Sequence, residues 1–310
     1  MVHYNNQNSL HQIFTLKGTV IRDIFPQLLL YICVSTIVTV INYYYVEIKI
    51  NQTPWVIVGG ALGLLLVFRT NTAYDRYWEG RKLFGTIGAC TRNLAVSFLC
   101  YWESKEEHTD KEKIKFLHLL IAFPKLAKGH LRDEKDLSEI KSLLDICSEK
   151  EREILAESIH LPISIVFMLK TILSKGLKTG QIHPNAIINM EADLNTLLTA
   201  VGGCDRIKTT PIPFAYFAHI KTLLLIFCGT LPIGLADSLG WFTVLATTFI
   251  GFAFIGIEAI GVEIEDPFGQ DPNDLPLEAI CIAIEANLVN LYNQNALLGF
   301  LDLKRDKKII

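Results

Sequence analysis

LLLVFRTNTAYDRYWEGRK, residues 64–82, joins an apolar run to a charged one with nothing between them that stops a helix. The apolar run ends at Phe68 and meets Arg69, Asp75, Arg76, Glu79, Arg81 and Lys82, with no proline and no glycine before Gly80. The simplest reading is one helix that crosses an oily layer and continues into water. On that helix Gly60, Leu64, Phe68, then Asn71 or Thr72, then Asp75 fall on one face at i, i+4 spacing. The face is apolar in its first half and polar in its second. A helix lining a wet passage that widens beyond the bilayer has this pattern. So does a helix on which Gly60 lets a neighbour pack closely and the polar half is a solvated face.

The chain around this stretch is that of a membrane protein. Half of its 310 residues are hydrophobic, and the mean hydropathy is +0.33, high for a soluble protein. The net charge of −3 points to neither nucleic acid nor an acidic substrate. Cysteines at 33, 90, 100, 147, 204, 228 and 281 show no CxxC and no metal-ligand spacing, which reads as reduced structural thiols. The first 24 residues show no apolar core and no cleavage site of a signal peptide.

Spanning a bilayer takes about 20 mainly apolar residues. Residues 25–46 are uncharged and end in tyrosines suited to an interface. Residues 55–68 are too short for a full span unless the helix continues. The third run, PIPFAYFAHIKTLLLIFCGTLPIGLA (211–236), carries His219 and Lys221 near its start, and the fourth, residues 238–257, is uncharged. Residues 103–160 are rich in Lys, Glu and Asp with apolar residues at helical spacing, which predicts soluble helices. Asp274, Pro276 and Glu278 predict a further helix start, and no strand alternation is sustained. The expected organisation is a cytosolic segment 1–24, two membrane helices with a cytosolic extension over 25–98, a cytosolic helical region 99–210, two more membrane helices over 211–262, and a C-terminal cytosolic helical region 263–310. Arg69, Arg76, Arg81, Lys82, Arg206 and Lys208 flank spans two and three on one side, whereas the other side carries only Lys49. The positive-inside rule therefore puts both termini in the cytoplasm, on a multi-pass protein of the cell membrane, the inner membrane in a bacterium. Glu258 then sits at the cytoplasmic interface, and His219 and Lys221 near the same end of span three.

Three stretches resemble the bestrophin family of ion channels: FRTNTAYDRYWEGR (68–81), NTLLTAVGGCDRIKTTPIPFAYFAHIK (195–221) and EIEDPFGQDPNDLPLE (263–278). They occur in order among four spans and a long cytosolic insertion, and the short C-terminus resembles the compact prokaryotic members. The resemblance implies an all-α membrane protein, a homopentamer around one axial pore, whose second helix lines an apolar neck. The neck positions match Gly60, Leu64 and Phe68, with Gly60 standing where the family usually has a bulky apolar residue. Asn185, in QIHPNAII, matches the cytosolic exit constriction. Asp271 and Asp274 match carboxylates of the calcium clasp of animal bestrophins, with Glu263 and Asp266 at positions that supply amide or backbone oxygens there. Prokaryotic members are not generally calcium-gated, and Asp274 as a helix cap with the other acids solvated is the alternative.

The function implied is conduction of monovalent ions, chloride and similar anions foremost, with the chain itself, the lipid bilayer and the permeant ions as partners, no nucleic acid, and no required cofactor beyond the calcium question. Asp75 facing the axis would favour cations, with Arg69 and Arg76 offsetting it. A sodium-selective homologue and a non-conducting membrane scaffold are the competing readings. There is no HExxH, P-loop or GxSxG, so nothing suggests an enzyme.

Overall fold

A computed structural model describes residues 18–103 and 108–306. Residues 1–17, which carry most of the expected N-terminal segment and the absence of a signal peptide, lie outside the described residues. The described residues form ten α-helices, one short 3₁₀ turn and no strand. Four of the helices are long and apolar enough to cross a membrane.

The second helix decides the architecture. It runs unbroken over Thr53–Tyr101, 49 residues, or about 74 Å at 1.5 Å per residue. An apolar bilayer core is about 30 Å thick, so less than half of this helix crosses it. The side chain of Asn51 sets its start by accepting from the Thr53 backbone N–H at 2.9 Å.

One compact unit comprises residues 18–78 and 210–274 of the described chain. It contains α1 (Ile21–Tyr44), the first half of α2 (Thr53–Tyr101), α8 (Phe214–Leu239) and α9 (Phe242–Glu265). Its core gathers Ile24 and Tyr31 of α1, Leu62 and Leu66 of α2, Ile220, Leu224, Phe227 and Leu231 of α8, and Ile255 of α9. Small and polar residues let these helices approach. The Thr247 hydroxyl donates to the Ser35 hydroxyl at 2.8 Å, both buried, the hydrogen-bonded contact expected where lipid offers no partner. Trp55 lies flat on Gly234, where a Cβ would come within 2.6 Å of the indole, and its Nε1–H donates to the Thr230 hydroxyl at 3.1 Å.

Two helix ends differ from the runs read in the sequence. The helix that holds the first expected span starts at Ile21, ahead of the uncharged run, with Arg22 and Asp23 in its first turn. The uncharged run 238–257 is not one helix: Gly240 at φ +50° ends α8 in a conformation that suits glycine, and α9 starts only at Phe242.

The other unit comprises residues 79–209 and 275–306. It contains the rest of α2, α3 (His108–Leu131), α4 (Lys141–Ile146), α5 (Glu149–Glu157), α6 (Leu161–Lys178), α7 (Pro184–Thr209) and α10 (Leu277–Asp306). Phe98 of α2 stacks on Phe116 of α3 with centroids 3.7 Å apart. Gly203 of α7 admits Leu83, whose methyl carbons would lie 2.9 Å from an added Cβ. Lys128 of α3 is buried with its ammonium on Glu139 at 2.7 Å and on Glu278. Burial opposes its charge, but the hydrogen bonds it donates to the two carboxylates prevail and hold its pKa above the ordinary value. The cysteines are all free thiols. Burial pushes the Cys204 and Cys281 thiols up to about 12, so both stay protonated and unreactive at neutral pH.

Candidate functional site

Residues two apart on a helix point about 200° from one another, and the first half of α2 divides accordingly. Leu62, Leu66 and Arg69 are 0%, 1% and 0% exposed, whereas Leu64 and Phe68 are 58% and 56% exposed. Gly60, Asn71, Thr72 and Asp75 are exposed on the same side as Leu64 and Phe68. A Cβ added at Gly60 would meet no atom within 4 Å. The face marked by the sequence is thus the face of α2 that the rest of the unit leaves open. It changes from apolar to polar after Phe68, and Thr72 returns its hydroxyl to the Phe68 carbonyl at 2.9 Å.

Directly behind Phe68 lies a cluster that the sequence reading did not assemble. Arg69 is buried with Nη1 3.4 Å from Glu258 Oε1 and Nη2 3.6 Å from Glu265 Oε2, and its guanidinium carbon sits 4.8 Å over the Phe217 ring. The Lys221 ammonium donates to Glu258 Oε2 at 2.8 Å. Two cations and two carboxylates balance, which is what permits a buried arginine at this depth. Glu258 and Glu265 stand seven residues apart on one face of α9, with Gly261 between them beside Arg69. That i, i+7 spacing was the available signal. Arg69, read from the sequence as a charge offsetting Asp75, is instead anchored inside the unit. Arg76 also turns inward, donating from Nε to the Glu265 carbonyl at 3.1 Å and from Nη1 to the Thr210 carbonyl. Glu258 is buried within the unit, while His219 is exposed. This network fixes the rotation of α2, and thereby which side chains its open face presents.

The acidic segment after α9 folds back on itself. Asp274 is 3% exposed, and its Oδ2 accepts from the Asp271 backbone N–H at 2.7 Å. Gly269 packs closely beside it, and a Cβ there would fall 2.7 Å from Asp274 Oδ2, so the carboxylate would have to shift. The Asp274 carboxyl is pushed up to about 6, first by burial and then by the nearby charges of Asp271, Asp266 and Glu263. Its Oδ1 is buried without a partner. Asn273 ties the segment to α9 and to the chain before α1, donating to Glu263 Oε1 at 3.0 Å and to the Gly18 carbonyl at 2.9 Å. Asp266 Oδ1 accepts from the Phe268 N–H at 3.3 Å.

Asp274 does not cap a helix, contrary to that alternative, because α10 starts only at Leu277. Nor do Glu263, Asp266, Asp271 and Asp274 bring three ligand oxygens within 4.8 Å of one another, the spacing reached elsewhere among the described residues. A cleft of about 610 Å³ opens beside the loop, lined among others by Arg22, Lys221, Glu258, Glu263 and Asp271. Asn185 is an exposed residue in the first turn of α7, its N–H donating to His183 Nδ1 at 3.3 Å.

Known proteins match this chain along most of its length. A voltage-dependent anion channel-forming protein of Nostoc sp. is 41% identical over 283 residues, covering 90% of each chain. The voltage-dependent anion channel-forming protein YneE of Escherichia coli K12 is 32% identical over 298 residues, covering 95% of each. Among solved structures, a bacterial bestrophin homologue from Klebsiella pneumoniae is 30% identical with a TM-score of 0.78, covering 86% of this chain and 98% of that one. A family model described as Bacterial/Fungal Bestrophin protein matches residues 1–290. With the spans, the long second helix and the Pro-Phe-Gly loop all in place, this chain belongs to the bestrophin family.

Proposed function

We propose that the chain forms a homopentameric channel for chloride and similar monovalent anions, with Gly60, Leu64 and Phe68 of α2 lining its neck. Membership in the bestrophin family makes the protein a membrane channel rather than an enzyme. The observation that carries the finer reading is the division of α2. Two large apolar side chains stand open one turn apart, on the face opposite Leu62, Leu66 and Arg69. Repeated around an axis, that face makes two stacked apolar rings that offer an ion no ligand and gate by dewetting. The edges of aromatic rings carry partial positive charge, so Phe68 edges toward the axis suit an anion. The relatives named as anion channel-forming proteins favour the same selectivity. Asn185 is proposed as a polar residue at the cytosolic exit, and both termini are placed in the cytoplasm of an inner-membrane protein. No step of conduction is routed through calcium.

One observation favours a cation-selective second reading. Asp75 is exposed on the open face while Arg69 is paired with Glu258 and Glu265 inside the unit, so the charge of Arg69 does not offset it. A reversal potential separates the two. Across a tenfold NaCl gradient, ideal selectivity gives about 59 mV, with the sign of the chloride equilibrium for an anion channel and the opposite sign for a sodium channel. Purified protein in planar bilayers that passes no current under any voltage would favour the scaffold.

A further inference from the structure

Away from α2's open face, three helix ends of the second unit bring two imidazoles and a carboxylate together. His130 stands in the last turn of α3, His160 caps α6, and Asp205 lies in the last two turns of α7. His130 Nε2 is 2.9 Å from Asp205 Oδ1, and His160 Nε2 is 3.4 Å from Asp205 Oδ2. The two imidazole rings face each other with centroids 4.1 Å apart, and the three ligand atoms all lie within 4.8 Å of one another. Each side chain is a little under one-third exposed, so the group is held by the fold yet open to solvent. Its backbone is fixed from both sides. Lys208, three residues past Asp205, donates to the His130 carbonyl at 3.2 Å and pairs with Asp133 at 2.6 Å. The lysine charge is thereby drawn to Asp133.

We propose that His130, His160 and Asp205 form a binding site for a divalent transition-metal ion, zinc foremost. Zinc takes imidazole nitrogen and carboxylate oxygen at about 2.0–2.2 Å in a tetrahedron, which sets ligand atoms roughly 3.3 Å apart. The observed 2.9 and 3.4 Å bracket that value, so little movement is needed to seat an ion. Two nitrogens and one oxygen suit zinc or cobalt and not calcium, which takes an all-oxygen shell. The fourth position is left to water. Binding through Nε2 requires neutral rings with the proton on Nδ1. His160 then gives up only the weak 3.4 Å bond that its Nδ1 accepts from the Ile163 N–H. The bound ion would staple the end of α3 to the start of α6 and the end of α7 within one unit. The site is independent of the neck, and its failure leaves the channel reading untouched.

The test is calorimetric titration of the purified full-length protein with Zn²⁺ and with Co²⁺ near neutral pH, beside His130→Gln, His160→Gln and Asp205→Asn. Cobalt adds a visible ligand-field band whose intensity reports four-coordinate binding. The expected result is one site per chain whose affinity falls about tenfold or more in each variant, with the cobalt band lost and calcium unable to compete. His160→Gln also removes a helix cap, so His130→Gln, which caps nothing, carries the comparison if His160→Gln folds poorly. Equal zinc affinity in the parent and His130→Gln, or cobalt spectra of purely octahedral, weakly bound ion, would overturn the site.

Discussion

Replacing Leu64 by serine separates a neck residue from a packing residue, because the two roles carry different energies. Leu64 is 58% exposed within its protomer, so about two-fifths of its side chain is covered there. Full burial of a leucine is worth about 1.5–3 kcal/mol, and the covered share is therefore about 1 kcal/mol. Leucine to serine in a helix adds a few tenths more. If Leu64 lines a water-filled neck, this modest cost is the whole cost, and the hydroxyl wets a ring that was dry. Yield and oligomeric state stay near the parent's while open probability rises. If Leu64 instead packs between subunits, each subunit loses about 2–5 kcal/mol to cavity and lost contacts, multiplied around the ring. The assay takes oligomer mass by native mass spectrometry and current in a planar bilayer from the same preparation. Loss of the oligomer with no gain in current refutes the neck assignment.

Gly60→Ala should raise thermal stability, by about 0.5–1 kcal/mol per chain, since the added Cβ meets nothing within 4 Å; Gly60→Leu should narrow the neck and lower unitary conductance, and unchanged conductance would remove Gly60 from the pore. Arg69→Met strips Glu258 and Glu265 of a buried cation, for which about 3–5 kcal/mol of destabilisation is expected; a melting scan in detergent checks this, and the added change Glu258→Gln should recover part of the loss. Asp274 holds its proton more tightly folded, at about 6, than at its ordinary 3.8. Its contribution is therefore full below about pH 4 and lost as pH rises toward 6, a difference of about 3 kcal/mol at 1.36 per tenfold. Asp274→Asn, which has no charge to bury, should be more stable than the parent at pH 7.5 and should lack that pH dependence. Equal melting temperatures at pH 7.5 would contradict it.

The membrane helices and the unbroken run through residue 68 were legible because length and uninterrupted hydropathy are local properties. The exposed stripe of α2 was legible for the same reason, as i, i+4 spacing marks a face without saying what covers it. What escaped the sequence depends on pairing across helices. Arg69 reads as one more cytoplasmic basic residue until α9 sets Glu258 and Glu265 against it. The Gly240 break was hidden in an uncharged run because hydropathy does not register a positive φ. The Pro-Phe-Gly loop carries closely spaced acids, but spacing alone does not show that Asp274 is buried and turned to the Asp271 amide. His130, His160 and Asp205 come from stretches up to 75 residues apart, and no spacing rule connects them.

Whether Phe68 faces the ion pathway is settled by cysteine accessibility at that position. Phe68→Cys channels in a planar bilayer are treated with a charged thiol reagent, beside the parent, whose exposed thiols among the described residues are Cys33 and Cys100. Modification around the ring puts several bulky charges into one plane of the neck. With Phe68 in the neck, current falls sharply in Phe68→Cys and not in the parent, and a cationic reagent alters selectivity differently from an anionic one. Complete labelling of Phe68→Cys by mass spectrometry with current and selectivity unchanged would contradict it.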